Sequence, residues 1–314
     1  MREVTIATVQ FQPKLGEPEE NLVKMSDFIS KIASQQKVDL IIFPELATSG
    51  YELGVRFTEL AQRIPGPSIN LMSQRAAEFG IHIAFGLATK ERVESIIFNS
   101  AVLIGPDGEL LGNYNKVHLR GEERMAFREG FKFPVISTEI GNIGLLLGWD
   151  LAFPEVARSL ALEGSELLLV MVNWEKRYMD EYRTLLKARA FENGIYVAGS
   201  NRVGEDVTLA FGGESMIVGP RGEVLTSLVA EKEPEVTVTP EAKPQTDDKA
   251  EDEKPEEAKP EPAPRTPAKK ESDEPMEGYA VARIDLDEVR RYREQFQMIQ
   301  LRQPTAYRTV VKRY

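Results

Sequence analysis

Along the first 230 residues, strand-like apolar runs alternate with segments of helical spacing. Val4 to Phe11 reads as a strand, Glu19 to Gln35 as a helix with apolar residues at intervals of three and four, and Val38 to Pro44 as a strand again. The order then recurs. Ser68 to Phe79 is helical, Ile81 to Leu87 is an apolar strand, and Ile97 to Asn113 is a hairpin turning at Gly105-Pro106-Asp107-Gly108. Ile143 to Leu147 forms a further apolar strand that turns near Gly148 ahead of a helix from Pro154 to Glu163. Strands and helices in alternation point to an α/β fold.

A second hairpin, Glu214 to Ser227, turns at Gly219-Pro220-Arg221-Gly222, and the stretch Met216 to Leu225 echoes Val102 to Leu111 almost residue for residue. Two such copies more than a hundred residues apart predict two similar halves, each ending in the same hairpin. The two turns themselves are turn chemistry; no strand-to-helix glycine loop surrounds them to cradle a phosphate.

Residues 231 to 277 break the pattern. They hold nine of the 19 prolines and no aromatic residue, with sixteen acidic and eight basic side chains, so most of the net charge of -11 sits there. Such a stretch cannot bury enough apolar surface to offset its ordering entropy, and is expected to be a disordered, solvated insert or a docking segment. Beyond it, Tyr279 to Asp285 reads as a strand and Leu286 to Phe296 as a helix, so the insert interrupts a single domain spanning residues 1 to 314.

The 314 residues contain no cysteine, which excludes disulfides, thiolate-ligated metals and catalysis by a thiolate of this chain. His82 and His118 are the only histidines and lack acidic neighbours at ligand spacing, so neither a metal nor another cofactor is expected; both are read as packing or hydrogen-bonding residues. No Gly-x-Ser-x-Gly elbow is present. The acidic balance argues against nucleic acid as a partner. The longest apolar runs fall far short of the roughly 20 residues that span a bilayer, and the N-terminus has no leader-like pattern. The expectation is a cytoplasmic protein with no membrane segment.

Three strand ends carry residues that a bland core does not explain. Glu45 closes the strand ending in Phe43-Pro44; Lys116 follows the first hairpin, with Glu122 and Glu123 soon after; Gly148 stands where the apolar strand turns toward its helix. Each alone is read as a solvated acid, a surface cation or a turn glycine. Together they place an acid, a cation and a strand-to-helix elbow at strand ends, where α/β folds gather their chemistry. Tyr51, Trp149 and Trp174 are either pocket walls or core.

At these residues the chain resembles the nitrilase superfamily of carbon-nitrogen hydrolases. Phe43-Pro44-Glu45-Leu46-Ala47-Thr48-Ser49-Gly50-Tyr51 is similar to the family's first glutamate motif, Asn115-Lys116-Val117-His118-Leu119 to its lysine motif, and Gly148-Trp149-Asp150-Leu151-Ala152-Phe153-Pro154-Glu155 to its cysteine motif. Ala188 to Asn193 and Asn201 to Gly204 are family-like as well, and the similarity resumes from Ala280 to Tyr307. The resemblance implies an αββα sandwich of two pseudo-repeated halves, a homodimer or larger homo-oligomer, and cleavage or formation of non-peptide C–N bonds in a small amide or nitrile. It also implies Glu45 as general base, Lys116 as oxyanion stabiliser and Glu123 as the second glutamate, with Glu122 possible instead. Tyr51, Trp149 and Asn173 are the substrate-binding candidates, and Arg290 to Tyr314 the place for a subunit contact.

The departure falls at the nucleophile, whose position is Gly148. Loss of a nucleophile costs about 10⁶ in kcat in subtilisin, so the expectation is a catalytically impaired homologue that binds a small ligand or serves as a structural or regulatory subunit. The alternatives are a hydrolase using a water held by Glu45 in the space of the missing thiol, a chain in which glycine has replaced a parent cysteine, and a Glu45–Lys116 ion pair kept only for structure.

Overall fold

The computed structural model describes residues 1–91, 96–229 and 276–311. These described residues form one compact unit. Apart from Met276 and Glu277, the acidic insert lies outside the described residues, so its expected disorder is not addressed by them.

The first half runs β1 (Glu3–Gln10), α1 (Pro18–Gln35), β2 (Leu40–Ile42), a short helix α2 (Phe57–Leu60), α3 (Pro67–Phe79), β3 (His82–Lys90), β4 (Ile97–Ile104), β5 (Leu110–Asn115) and a single turn α4 (Glu123–Ala126). The second runs β6 (Val135–Thr138), β7 (Gly141–Leu147), a 3₁₀ turn over Gly148–Ala152, α5 (Pro154–Leu162), β8 (Leu167–Val172), α6 (Met179–Asn193), β9 (Tyr196–Asn201), the ribbon β10 (Val203–Glu205) and β11 (Ala210–Gly212), β12 (Met216–Val218) and β13 (Val224–Ser227). Strand β14 (Gly278–Asp285) and helix α7 (Asp287–Phe296) follow. Pro18, Pro67 and Pro154 each open a helix, where the missing N–H costs nothing, and α3 and α6 end at Gly80 and Gly194 in the left-handed conformation.

The strands form two six-stranded sheets of matching design, ordered β14-β1-β2-β3-β4-β5 and β13-β12-β9-β8-β7-β6. Each has three parallel strands at its centre, β1–β2–β3 in one and β7–β8–β9 in the other, and each is flanked by antiparallel strands. The sheets face each other, β1 against β9, β3 against β8 and β4 against β7. Period-two alternation explains the layers: Val4 and Ile6 join the core between the sheets, whereas Ala7 and Val9 join the outer core with Met25 and Ile29 of α1 and Met72 of α3. Helices α5 and α6 pair on the far side of the second sheet. The expected αββα sandwich of two similar halves is the architecture found. The repeat extends to its turns: Gly105 N–H and Gly219 N–H each donate to the backbone carbonyl four residues on, Glu109 and Glu223, at 2.9 Å.

The ribbon β10–β11, α4 and α6 have no counterpart in the sequence reading. In α6 the charges Asp180, Glu181, Arg183, Lys187, Arg189 and Glu192 interrupt any clean apolar stripe, and Arg189 is itself buried, donating to the backbone carbonyls of Leu151 and Ala152. Among the described residues no helix is long and apolar enough to cross a membrane.

One glycine fixes the approach of the site to the sheet. The chain after β2 runs along β3 through Phe43 N–H to Ala84 O, Gly86 N–H to Pro44 O and Ala47 N–H to Gly86 O. A Cβ on Gly86 would stand 2.6 Å from Glu45 Cα and Leu46 N. Because those are backbone atoms, Gly86→Ala is expected to cost about 1–3 kcal/mol of unfolding free energy in urea titrations; an unchanged midpoint would show that this contact is not tight.

Candidate active site

Glu45, Lys116 and Glu123 meet in the interior, at 1%, 2% and 5% exposure. Glu45 sits just after β2, Lys116 just after β5, and Glu123 opens α4. Lys116 Nζ donates to Glu45 Oε1 at 2.8 Å and to Glu123 Oε1 and Oε2 at 2.7 and 2.8 Å. Glu123, not Glu122, is the second carboxylate of the cluster; Glu122 lines the same cavity but is exposed.

Sequence reasoning missed the neutral member of this set. Asn99 of β4 is fully buried, and its Nδ2 donates to Glu45 Oε1 at 2.8 Å and to Glu123 Oε1 at 2.9 Å. The signal was present, since Asn99 is a polar residue inside an otherwise apolar buried strand. Two backbone donors complete the ring: Asn173 N–H reaches Glu45 Oε2 at 3.1 Å and Arg120 N–H reaches Glu123 Oε2 at 3.1 Å.

Gly148 lies directly beneath, at the turn out of β7, with φ +44°. A side chain begun there would place its Cβ 2.5 Å from Lys116 Nζ and 2.7 and 2.8 Å from the Glu45 oxygens. A side chain at this position therefore begins against the ends of Lys116 and Glu45, which must shift to admit it.

Burial dominates the electrostatics. Removal from water pushes the Glu45 carboxyl up to about 7, the like charge of Glu123 acting in the same sense and the Lys116 ammonium against it. Burial also opposes the charge on Lys116, but Glu123 and Glu45 outweigh it and hold the ammonium well above its ordinary value. Burial raises the Tyr51 phenol as well.

The cluster forms the floor of a cavity of about 270 Å³, whose walls include Tyr51, Trp149, Asn173 and Trp174. All three substrate-binding candidates therefore face one space. Trp149 and Trp174 stack with ring centroids 5.7 Å apart, and the Arg120 guanidinium lies over Trp149 at 4.4 Å. Among the described residues no group of three or more His, Asp and Glu side chains is arranged to hold a metal ion.

Two buried acids lock the loops. Asp150, fully buried, accepts from Tyr114 Oη at 2.6 Å and from His118 N–H at 2.9 Å, and its Oδ1 lies 2.8 Å from His118 Nδ1, tying the Lys116 segment to the turn of Gly148. His118 also stacks on Phe153, consistent with a packing and hydrogen-bonding role. Asp206 takes both terminal nitrogens of the buried Arg202 at 2.8 Å and the backbone N–H groups of Tyr51 and Glu52 at 2.9 and 3.1 Å. Glu52 in turn accepts from the backbone of Thr208 and Leu209 at the cavity rim.

Residues 5–244 match the model of the carbon-nitrogen hydrolase family. A probable nitrilase of Schizosaccharomyces pombe is 46% identical over 237 residues, 74% of this chain and 87% of its own length. A nitrilase of Pyrococcus abyssi is 36% identical over 239 residues, 75% and 88% of the two chains. Among solved structures, a mutant amidase of Nesterenkonia sp. AN1 with an acetamide moiety added covalently at its active-site cysteine superposes with a TM-score of 0.73 at 25% identity, covering 98% of this chain and 96% of its own.

The raised Glu45 carboxyl has a measurable consequence for stability. Between the ordinary carboxylate value of 4.5 and about 7 the native protein keeps a proton that the unfolded chain releases. This contribution is therefore fully present in acid and is lost as pH rises through about 7. The unfolding free energy of the parent minus that of Glu45→Gln is expected to fall by on the order of 3 kcal/mol from about pH 4 to about pH 8. A difference that stays flat in urea titrations across that range would contradict the buried, proton-holding carboxyl.

Proposed function

The chain belongs to the carbon-nitrogen hydrolase family, and from that membership we propose that it binds a small non-peptide C–N compound, an amide or a nitrile, over Gly148 without turning it over by a thiolate route. One observation carries the reading: an assembled Glu45–Lys116–Glu123 set stands over a glycine, in a chain with no cysteine. In the roles that the family resemblance implies, Glu45 takes the proton of the attacking group, Lys116 faces the oxygen on which negative charge develops, and Glu123 holds Lys116 charged and in place. The attacking side chain is what this chain lacks. Its use is then as a ligand-binding, structural or regulatory subunit. Exposed Phe296, Leu301, Tyr307 and Val310 support a homo-oligomeric contact through the C-terminal segment.

A second reading is favoured by the Glu45 carboxyl at about 7, which suits a base working near neutral pH. Here a water attacks the amide carbon while Glu45 accepts its proton, Lys116 stabilises the tetrahedral oxyanion, and the departing ammonia takes that proton as the acid forms. Atoms and charge balance without a covalent intermediate. General-base help alone is worth about 10² to 10⁴, so such turnover is slow.

Ammonia release from simple amides and nitriles separates the readings. The parent is expected near background and Gly148→Cys above it by about 10²-fold or more, with Glu45→Gln in the Gly148→Cys background returning to the parent's level. The atoms that a Cβ at 148 would meet are the ends of flexible side chains and can give way, although the left-handed backbone there costs a non-glycine residue about 1–2 kcal/mol. Parent turnover that vanishes in Glu45→Gln would establish the water route instead. Parent turnover that survives Glu45→Gln would overturn both readings.

A further inference from the structure

A second hollow adjoins the cavity over Gly148. It is a cleft of about 470 Å³ beside the start of α6, and Arg120, Trp149, Trp174 and Tyr178 line it as well as the cavity, so the two compartments share a wall. Thr184 and Leu185 of α6 line the cleft alone; Thr184 is exposed and Leu185 half-buried, so solvent reaches it.

The shared wall is made of rings. Trp149 lies in the turn after β7 and Trp174 follows β8, and the two indoles are 5.7 Å apart with their planes inclined by 27°. Trp174 is fixed. Its Nε1–H donates to Tyr178 O at 2.8 Å, and its ring packs on that of the buried Tyr182 at 6.0 Å. Arg120 is held more loosely: its exposed guanidinium lies over Trp149 at 4.4 Å and over Tyr178 at 5.6 Å, and among the described residues it has no ion-pair partner. Stacking of this kind at an exposed site is worth about 0.5–1 kcal/mol, so an incoming group displaces the Arg120 side chain at little cost.

Pockets for small ligands commonly measure about 300–1,000 Å³ and are mostly apolar, with a few placed polar groups. The cavity over Gly148, about 270 Å³ with charges on its floor, does not meet that description by itself, and with the cleft it does. We propose that the cleft is the distal half of the ligand site and takes an uncharged aromatic ring, so that the ligand is an aryl-substituted C–N compound with its polar head on the Glu45–Lys116–Glu123 floor. The inference rests on the reading of the cavity as a site for C–N compounds and adds what the rest of the molecule must carry. Continuity through four shared residues makes the ligand itself, rather than a second protein, the occupant of the cleft.

The lining favours a flat ring. Contact between aromatic rings is worth about 0.5–1.5 kcal/mol beyond the area buried, and the Arg120 guanidinium offers a cation–π face as well. A saturated ring gains burial alone. Charge on the ring is disfavoured with either sign, because Arg120, Asp180 and Glu181 all line the cleft: an anion meets two carboxylates and a cation meets the guanidinium.

Trp149 and Trp174 are the two tryptophans of the chain, so tryptophan fluorescence reads this site and no other. Fluorescence titrations of the full chain at about pH 7.5 with butyramide, its ω-phenyl and ω-cyclohexyl derivatives, and the alcohol matching the ω-phenyl amide test the proposal without requiring turnover. The phenyl amide is expected to bind about tenfold more tightly than butyramide and about threefold more tightly than the cyclohexyl amide. Thr184→Arg puts a long side chain at an exposed position that lines the cleft and not the cavity, and is expected to bring the ratio of phenyl amide to butyramide affinity close to one. Equal binding of the phenyl amide and butyramide, equal binding of the phenyl and cyclohexyl amides, or a phenyl preference that survives Thr184→Arg overturns the proposal and leaves the cavity's C–N reading standing. The alcohol binding as tightly as the phenyl amide overturns the C–N reading on which the proposal rests. Binding of none of the probes overturns both. The comparison among probes in the parent decides the matter even if the variant fails to fold.

Discussion

Lys116 places one ammonium among three carboxylate oxygens within 2.8 Å, all on side chains that are almost wholly buried. Taking such charges out of water costs several kcal/mol per ion, and their attraction recovers this only when geometry is good and the remaining lone pairs are filled. The surroundings do that filling. Asn99 bridges the two carboxylates, and the backbone N–H groups of Asn173 and Arg120 take one oxygen on each. Burial still raises the Glu45 carboxyl, the second acid, Glu123, acting in the same sense and Lys116 against it.

This constraint explains why the fold needs two sheets. Glu45, Asn99 and Lys116 come from the first sheet and its loops, whereas Gly148 and Asn173 leave the ends of β7 and β8 in the second. Neither sheet contains the site. It exists where the inner faces pack, and the apolar core shared between them, with Ile6, Leu40 and Ala84 against Leu145, Leu169 and Ala198, sets the spacing of the charged cluster above the elbow.

Asp150 and Asp206 perform the same service for the loops. Each is buried and fills its lone pairs from segments distant in sequence, one reaching the Lys116 loop and the other the loop of Tyr51 and Glu52. The cavity wall is thus held by charge-assisted hydrogen bonds rather than by helices or strands, which suits loops that must expose polar groups to a ligand.

The sequence by itself determined the layers, because period-two alternation and helical spacing are local properties, and it determined the pseudo-repeat, because both hairpins carry the same turn residues. It also marked Glu45, Lys116 and Gly148, whose strand-end positions and flanking motifs are readable one segment at a time. The choice of Glu123 over Glu122 needed the tertiary structure, since neighbours on one turn point in different directions and only one meets Lys116. Asn99 escaped for the same reason: a polar residue in an apolar strand announces that a partner exists, but its partners lie 24 and 54 residues away and are specified only by packing. The wall shared by the cavity and the cleft is a tertiary fact too, because Arg120, Trp149 and Trp174 come from separate segments and line one space only once both sheets have packed.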